Sequence, residues 1–147
     1  MAINPKKKKE KTEQQKKELL RKRCVKLAKQ IAAKRDNWTC CYCGIGRPQR
    51  MTHEHHFCHE GLYKSMSADV DNLITLCATH HQGGMWMRSN DSFNFHNSPA
   101  ESTEWFMEKY PKRYKELKER KNNPIICDMI FWEKKLEELK KEYESIH

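Results

Sequence analysis

The chain has 147 residues, 33% of them charged and 37% hydrophobic, enough for one modest domain with an appendage and too few for two ordinary domains. No stretch approaches the roughly 18 to 20 apolar residues of a membrane-spanning helix, and no apolar run follows the lysine-rich opening MAINPKKKKEKTEQQKK to make it a secretory signal. The expectation is a cytoplasmic protein with no membrane partner, whose seven cysteines point to metal before disulfides.

The net charge of +9 is unevenly placed. Residues 1–35 hold 14 Lys/Arg against Glu10, Glu13 and Glu18, a balance of +11, and residues 36–147 come to -2. Basicity therefore belongs to an N-terminal arm. Such an arm suits a polyanion, because each phosphate it neutralises releases counterions without reading sequence. A nucleic acid is the expected partner, with residues 1–35 on its phosphates.

Residues 1–12 are low-complexity. From about Glu13 to Lys34 there is no Gly or Pro, and Leu20, Cys24, Leu27 and Ile31 recur at steps of 4, 3 and 4. That period predicts a basic helix with one apolar stripe, ended by Asp36-Asn37. Residues 38–84 hold five of the seven cysteines and six of the eight histidines. Their short apolar runs, Met51 to Phe57 and Leu73 to Leu76, are too brief for helices and read as strands or extended turns. Residues 85–100 are loop-like, and Ser102 is placed to cap a helix starting near Thr103 that stops or kinks at Pro111. Phe106, Tyr110, Tyr114 and Leu117 share one face there. Asn122-Asn123-Pro124 breaks the chain again. In the last segment, 125–146, Trp132, Leu136, Leu139, Tyr143 and Ile146 form a heptad-like seam. At this length it favours packing on the domain over an independent coiled coil, with a homodimer through the same helix as the other use of the seam. The divisions are 1–36 for the arm and helix, 37–84 for the core, and 85–147 for a helical extension.

Cys40-Cys41-Tyr42-Cys43-Gly44 contains a C-x-x-C pair, and Cys77-Ala78-Thr79-His80 a C-x-x-H pair. Two such knuckles supply four ligands of the type tetrahedral zinc takes. The two-residue spacing selects Cys40 over Cys41, and Gly44 permits a tight backbone after Cys43. A core this small gains folding free energy from the ion. Between the knuckles runs Thr52-His53-Glu54-His55-His56-Phe57, followed by Asn72 and by His81 directly after His80. A purely structural zinc finger has no use for these histidines. Neighbours on a strand point to opposite sides, so one can hold a metal while the other faces something else.

These residues resemble the HNH endonucleases, the ββα-metal nuclease family. The family pattern is C-x-x-C, then Asp-His or His-His opening a β-hairpin, then Asn, then L-C-x-x-C leading into a helix with His or Asn. Here it reads Cys40-x-x-Cys43, His55-His56, Asn72-Leu73 and Leu76-Cys77-x-x-His80-His81. The resemblance covers about residues 38–84. The layout is also similar to that of small phage recombination nucleases of the Rap/NinG type, in a bacterial or phage-infected cell. The resemblance implies an α+β fold: a small zinc-stabilised ββα-metal core flanked by N- and C-terminal helices. It makes His56 the general base, His55 and His81 ligands of a catalytic divalent ion, and Asn72 the residue that pins the hairpin loop. Cys40, Cys43, Cys77 and His80 become the holders of a separate structural Zn2+. The sequence departs from the pattern in having His80 where a fourth cysteine is frequent, in lacking a proline after the histidine pair, and in crowding His53, Glu54, Cys58 and His59 around that pair. A register shifted by one makes Glu54-His55 the acid-base pair.

Neutral imidazole, with an unperturbed pKa near 6.5, can take a proton from water at cellular pH. Two imidazole ligands suit Mn2+, Ni2+, Co2+ or Zn2+ better than Mg2+. The expected activity is hydrolysis of DNA phosphodiester bonds, nicking or cleaving duplex or branched DNA, with one site cutting one strand. The rival reading is a non-catalytic zinc-bound nucleic-acid binding module, which needs the knuckles and the arm but not His55, His56 or His81. A third is an interaction protein with a degenerate nuclease core.

Overall fold

A computed structural model describes residues 8–82 and 93–146. Within them the chain forms five α-helices and one two-stranded antiparallel sheet, an α+β arrangement. The first helix, α1, spans Glu13–Arg35. The hydroxyl of Thr12 accepts from the Gln15 N–H at 3.2 Å, and the Gln15 side chain accepts from the Thr12 N–H at 3.0 Å. This reciprocal pair satisfies two of the helix's free N-terminal donors. The helix closes where the Trp38 N–H donates to Ala33 O at 2.8 Å, with Asn37 and Trp38 in the left-handed region at φ 52° and 49°. A tryptophan rarely adopts that conformation.

Strand β1 (Thr52–His56) pairs with β2 (Leu73–Cys77), with Thr52 opposite Cys77, His55 opposite Ile74 and His56 opposite Leu73. Every residue of β2 is buried. Alternation sends Leu73 to one core and Ile74 and Leu76 to another, so the run is apolar except at Thr75 because both faces are covered. Helix α2 (Ala78–Gln82) follows β2 directly. Beyond it lie α3 (Pro99–Lys109), α4 (Pro111–Asn122) and α5 (Met129–Ser145).

The stripe on α1 faces α5. Cys24, Ala28, Ile31 and Ala32 are buried with Trp132, Leu136 and Leu139, and Tyr143 and Ile146 pack beside them. The small alanines on α1 leave room for the Trp132 ring. The seam on α5 is thus used within the chain, and self-association through α5 would have to use its other side, where Ile130 is exposed. On the opposite face of the sheet, Phe106 and Leu117 from α3 and α4 pack on Ile74, Leu76, Met66 and Phe95.

Two boundaries differ from the expectation. Ser102 does not cap α3; the helix begins at Pro99, where a missing N–H costs nothing, and the Ser102 hydroxyl donates to Pro99 O at 3.0 Å inside the first turn. The last helix starts at Met129 instead of Ile125, because Asp128 caps it by accepting from the Phe131 N–H at 2.8 Å. The loop expected over 85–100 lies partly outside the described residues; its described end runs 93–98. Among the described residues no helix is long and apolar enough to cross a membrane.

Charged side chains hold the hairpin against the helices. Arg35 donates to Val70 O and Leu73 O at 2.9 and 2.7 Å, and Asp36 accepts from the Thr75 N–H at 3.2 Å. Arg113 of α4 donates to Asp71 O at 2.6 Å, and Arg120 pairs with Asp69 and Asp71. The return from β1 to β2 is therefore fixed from two sides.

Candidate metal centre and imidazole cluster

The two knuckles meet. Cys40 follows the turn that ends α1, Cys43 lies three residues on, Cys77 ends β2 and His80 lies on α2. One donor atom from each of the four falls within 4.8 Å of every other. Cys77 Sγ is 3.2 Å and Cys40 Sγ 3.7 Å from His80 Nδ1, and Cys43 Sγ is 3.9 Å from Cys77 Sγ. A disulfide requires about 2.05 Å between sulfurs. A tetrahedral zinc, with Zn–S about 2.3 Å and Zn–N about 2.0 Å, sets sulfurs about 3.8 Å apart and sulfur and nitrogen about 3.6 Å apart. The cluster fits a zinc ion and does not fit a disulfide.

The surroundings favour the ligand forms of Cys77 and His80, while burial raises the Cys40 thiol. Burial raises the Cys77 thiol, but the His80 N–H, Arg50 and the neighbouring thiols outweigh it and bring Cys77 below its ordinary value. Burial and Arg50 lower His80, keeping its imidazole neutral. Three thiolates and zinc leave one negative charge, and Arg50 lies 3.9 Å from Cys77 Sγ to balance it. Tyr42, between the first two cysteines, stacks on Phe93 at 4.7 Å and lies 4.6 Å from the His80 ring, walling the site against α3 through Trp105. Cys41 takes no part; its N–H donates to Thr75 O at 2.9 Å and its thiol is raised by burial and by Asp36.

The first knuckle's shape rests on two glycines. Gly44 has φ 75°, a conformation open to glycine at little cost. Gly46 pairs with Thr39 across a β-bridge, and a Cβ there would collide with Trp38 O.

The histidines of β1 divide by strand alternation. His55 meets His81 of α2 edge to face, with ring centroids 5.2 Å apart, and His53 lies 5.9 Å from His81. Burial lowers His55 to about 4, helped by His81, His56, His96 and His59. His81 is likewise lowered by burial, then by His53, His96 and Lys29. All this leaves neutral imidazoles, the form that binds metal. The donor chemistry fits a borderline transition-metal ion.

His56 projects to the other face. Its Nε2–H donates to Ser67 O at 2.8 Å, Glu60 lies 3.9 Å from the same nitrogen, and 10% of the side chain is exposed. Because a carbonyl only accepts, Nε2 carries the proton and Nδ1 keeps a lone pair. Burial lowers His56, opposed by the Ser67 carbonyl and Glu60. Asn72 is fully buried. Its Oδ1 accepts from the Cys58 N–H at 2.6 Å, and its Nδ2 donates to Cys58 O and Met66 O at 2.9 and 3.1 Å. It thereby fixes the carbonyl next to the one that His56 uses. Glu54 shares the His56 face, in a groove with Lys26, Lys29 and Arg47, so Glu54 and His55 do not pair on one face.

The structure thus brings Cys40, Cys43, Cys77 and His80 together, and His55 with His81. It sets His56 across the strand, tied to the loop that Asn72 holds. Sequence reasoning does not single out Arg50, Tyr42, Ser67, Glu60 or His96. Of these only His96 offers a signal, as a histidine outside the dense region. No family model, no curated protein and no solved structure matches this chain.

Proposed function

We propose that the chain is a metal-dependent HNH endonuclease with a ββα-metal core, hydrolysing DNA phosphodiester bonds. The observation that carries this reading is the pairing of His55 with His81 at 5.2 Å, apart from a complete zinc-type cluster. A structural site consumes four ligands, and two neutral imidazoles remain beside it, one facing the other.

In this reading the scissile phosphate lies across the end of β1, with His55 on one face of the strand and His56 on the other. His56 Nδ1 takes the proton of the attacking water, Ser67 O holds the ring in the tautomer that makes this possible, and Asn72 holds the loop. The new bond joins the water oxygen to phosphorus, and the bond to the 3′ oxygen breaks, that oxygen leaving with a proton from solvent. His55 and His81 would hold a divalent ion, which would supply charge neutralisation to the reacting phosphate. Lys22, Lys26 and Lys29 rise along one side of α1 beside Glu60 and Glu54. Among the described residues none of the three has a carboxylate partner, which suits a row of phosphates.

The test is incubation of supercoiled plasmid with the protein and Mn2+, Ni2+, Co2+, Zn2+ or Mg2+, alongside His56→Ala. Cleavage strongest with a transition metal is expected, falling about 10²-fold or more in the variant with zinc content and DNA affinity retained. No cleavage by the parent with any of these metals would decide for the non-catalytic zinc-bound module.

A further inference from the structure

His53 is the least explained histidine in the cluster. It lies two residues before His55, and alternation puts both rings over the same side of β1. His-x-His on a strand sets two imidazoles about 7 Å apart at their Cα atoms, a span over which both rings can lean onto one ion. The third ring is already between them: His81 is 5.2 Å from His55 and 5.9 Å from His53, with interplanar angles of 70° and 31°. The position of His81 is itself secured, since the His96 N–H donates to its carbonyl at 3.1 Å.

We infer that His53 is a third imidazole ligand, so that the second metal of this chain is held by His53, His55 and His81. The inference rests on the proposed metal site and deepens it. Three protein ligands with one open position is the arrangement of catalytic zinc, whereas four closed ligands mark a structural one. The two centres then differ in kind: one sulfur-rich and walled by Tyr42 and Phe93, the other all nitrogen. The three nitrogens do not yet converge as the knuckle donors do, which alone among the described residues meet within 4.8 Å. His53 is exposed on the strand, so a rotation of its side chain closes the set without disturbing the core. His96, also exposed, is anchored through its backbone and serves as the comparison.

The experiment is titration of Co2+ into the zinc-loaded full chain, followed by calorimetry and visible absorption, with zinc content measured throughout. The parent is expected to take up one further ion. His53→Ala should weaken that uptake at least tenfold, His53→Asp should recover most of it with an oxygen ligand, and His96→Ala should leave it within a factor of two or so. Loss of the first zinc in His53→Ala would mark misfolding, and His53→Asp then carries the test. Uptake by His53→Ala equal to the parent's, or no further ion on the parent, overturns the inference. Plasmid cleavage in the same preparations separates the two readings. Cleavage with His53-independent uptake removes only the third ligand, and His53-dependent uptake without cleavage removes only the nuclease.

Discussion

The Nε2–H of His56 points at the carbonyl of Ser67, 2.8 Å away, and the peptide just before that carbonyl is held by Asn72. A buried amide thus sets which nitrogen of an imidazole is basic, across a loop of some ten residues. Replacing Asn72 by Ala strands the N–H and the carbonyl of Cys58 and leaves Met66 O with the Asp69 N–H alone. Each unmet buried group costs about 1 to 3 kcal/mol, so the variant should lose on the order of 3 kcal/mol in urea denaturation. Unchanged stability would show that the loop does not depend on this side chain.

The knuckles lead to a second expectation. One tightly held zinc per chain should be found by elemental analysis. Chelation, or Cys77→Ser, should lower the melting temperature by about 10 °C or more, roughly what a loss of about 3 kcal/mol or more does to a domain near this size. Cys41→Ser should retain the ion, since its thiol lies outside the cluster. Zinc loss in Cys41→Ser equal to that in Cys77→Ser would contradict this assignment.

The glycines of the first knuckle should respond unequally. Gly44→Ala places a side chain in open space at φ 75°, a cost of about 1 kcal/mol. Gly46→Ala drives a Cβ into Trp38 O and to 2.7 Å from Thr39 Cα, both backbone atoms. A clash of that kind belongs with the overpacking losses of roughly 3 kcal/mol. Equal melting temperatures for the two variants would refute the close approach.

Acid should weaken the fold through His55. Its folded pKa, about 4, lies below the ordinary 6.5, so the unfolded chain binds the proton first as pH falls. Its contribution is complete above about pH 6.5 and drains away down to about pH 4, on the order of 3 kcal/mol in total. His55→Gln should flatten the fall in melting temperature over that window relative to the parent in the same buffers. Parallel curves would place the acid sensitivity elsewhere.

Binding to duplex DNA should depend on α1 as well as on the residues before it. Lys22→Gln, Lys26→Gln and Lys29→Gln together should lower the slope of log affinity against log salt by about 2.7, near 0.9 for each phosphate left without its lysine. Fluorescence anisotropy of the His56→Ala protein measures this without cleavage. An unchanged slope would remove this face of α1 from the DNA path.

Much of the molecule is legible in the amino-acid order. The period of Leu20, Cys24, Leu27 and Ile31 marks α1, and the apolar runs after Met51 and at Leu73 mark the two strands. The spacing of Cys40, Cys43, Cys77 and His80 marks the cluster, because a knuckle is a local structure and two of them suffice. The start of α3 is ambiguous in the sequence because Pro99 and Ser102 both offer local reasons to begin a helix, and only packing chooses. Arg50, Ser67 and Glu60 carry no pattern, since Arg50 reaches Cys77 from the turn before β1 and Ser67 and Glu60 reach His56 from the hairpin's return loop. Ala28 and Ala32 are equally silent; their value appears only when α5 arrives.

That arrival has a consequence for synthesis. Cys24 donates its thiol proton to the carbonyl of Trp132, a partner 108 positions further along the polypeptide. A nascent chain therefore carries its basic helix, with an uncovered greasy side, until α5 has been made. The lysine-lined face of α1 exists before the helix has anything to lean on, and the ribosome's own RNA is the nearest polyanion to meet it.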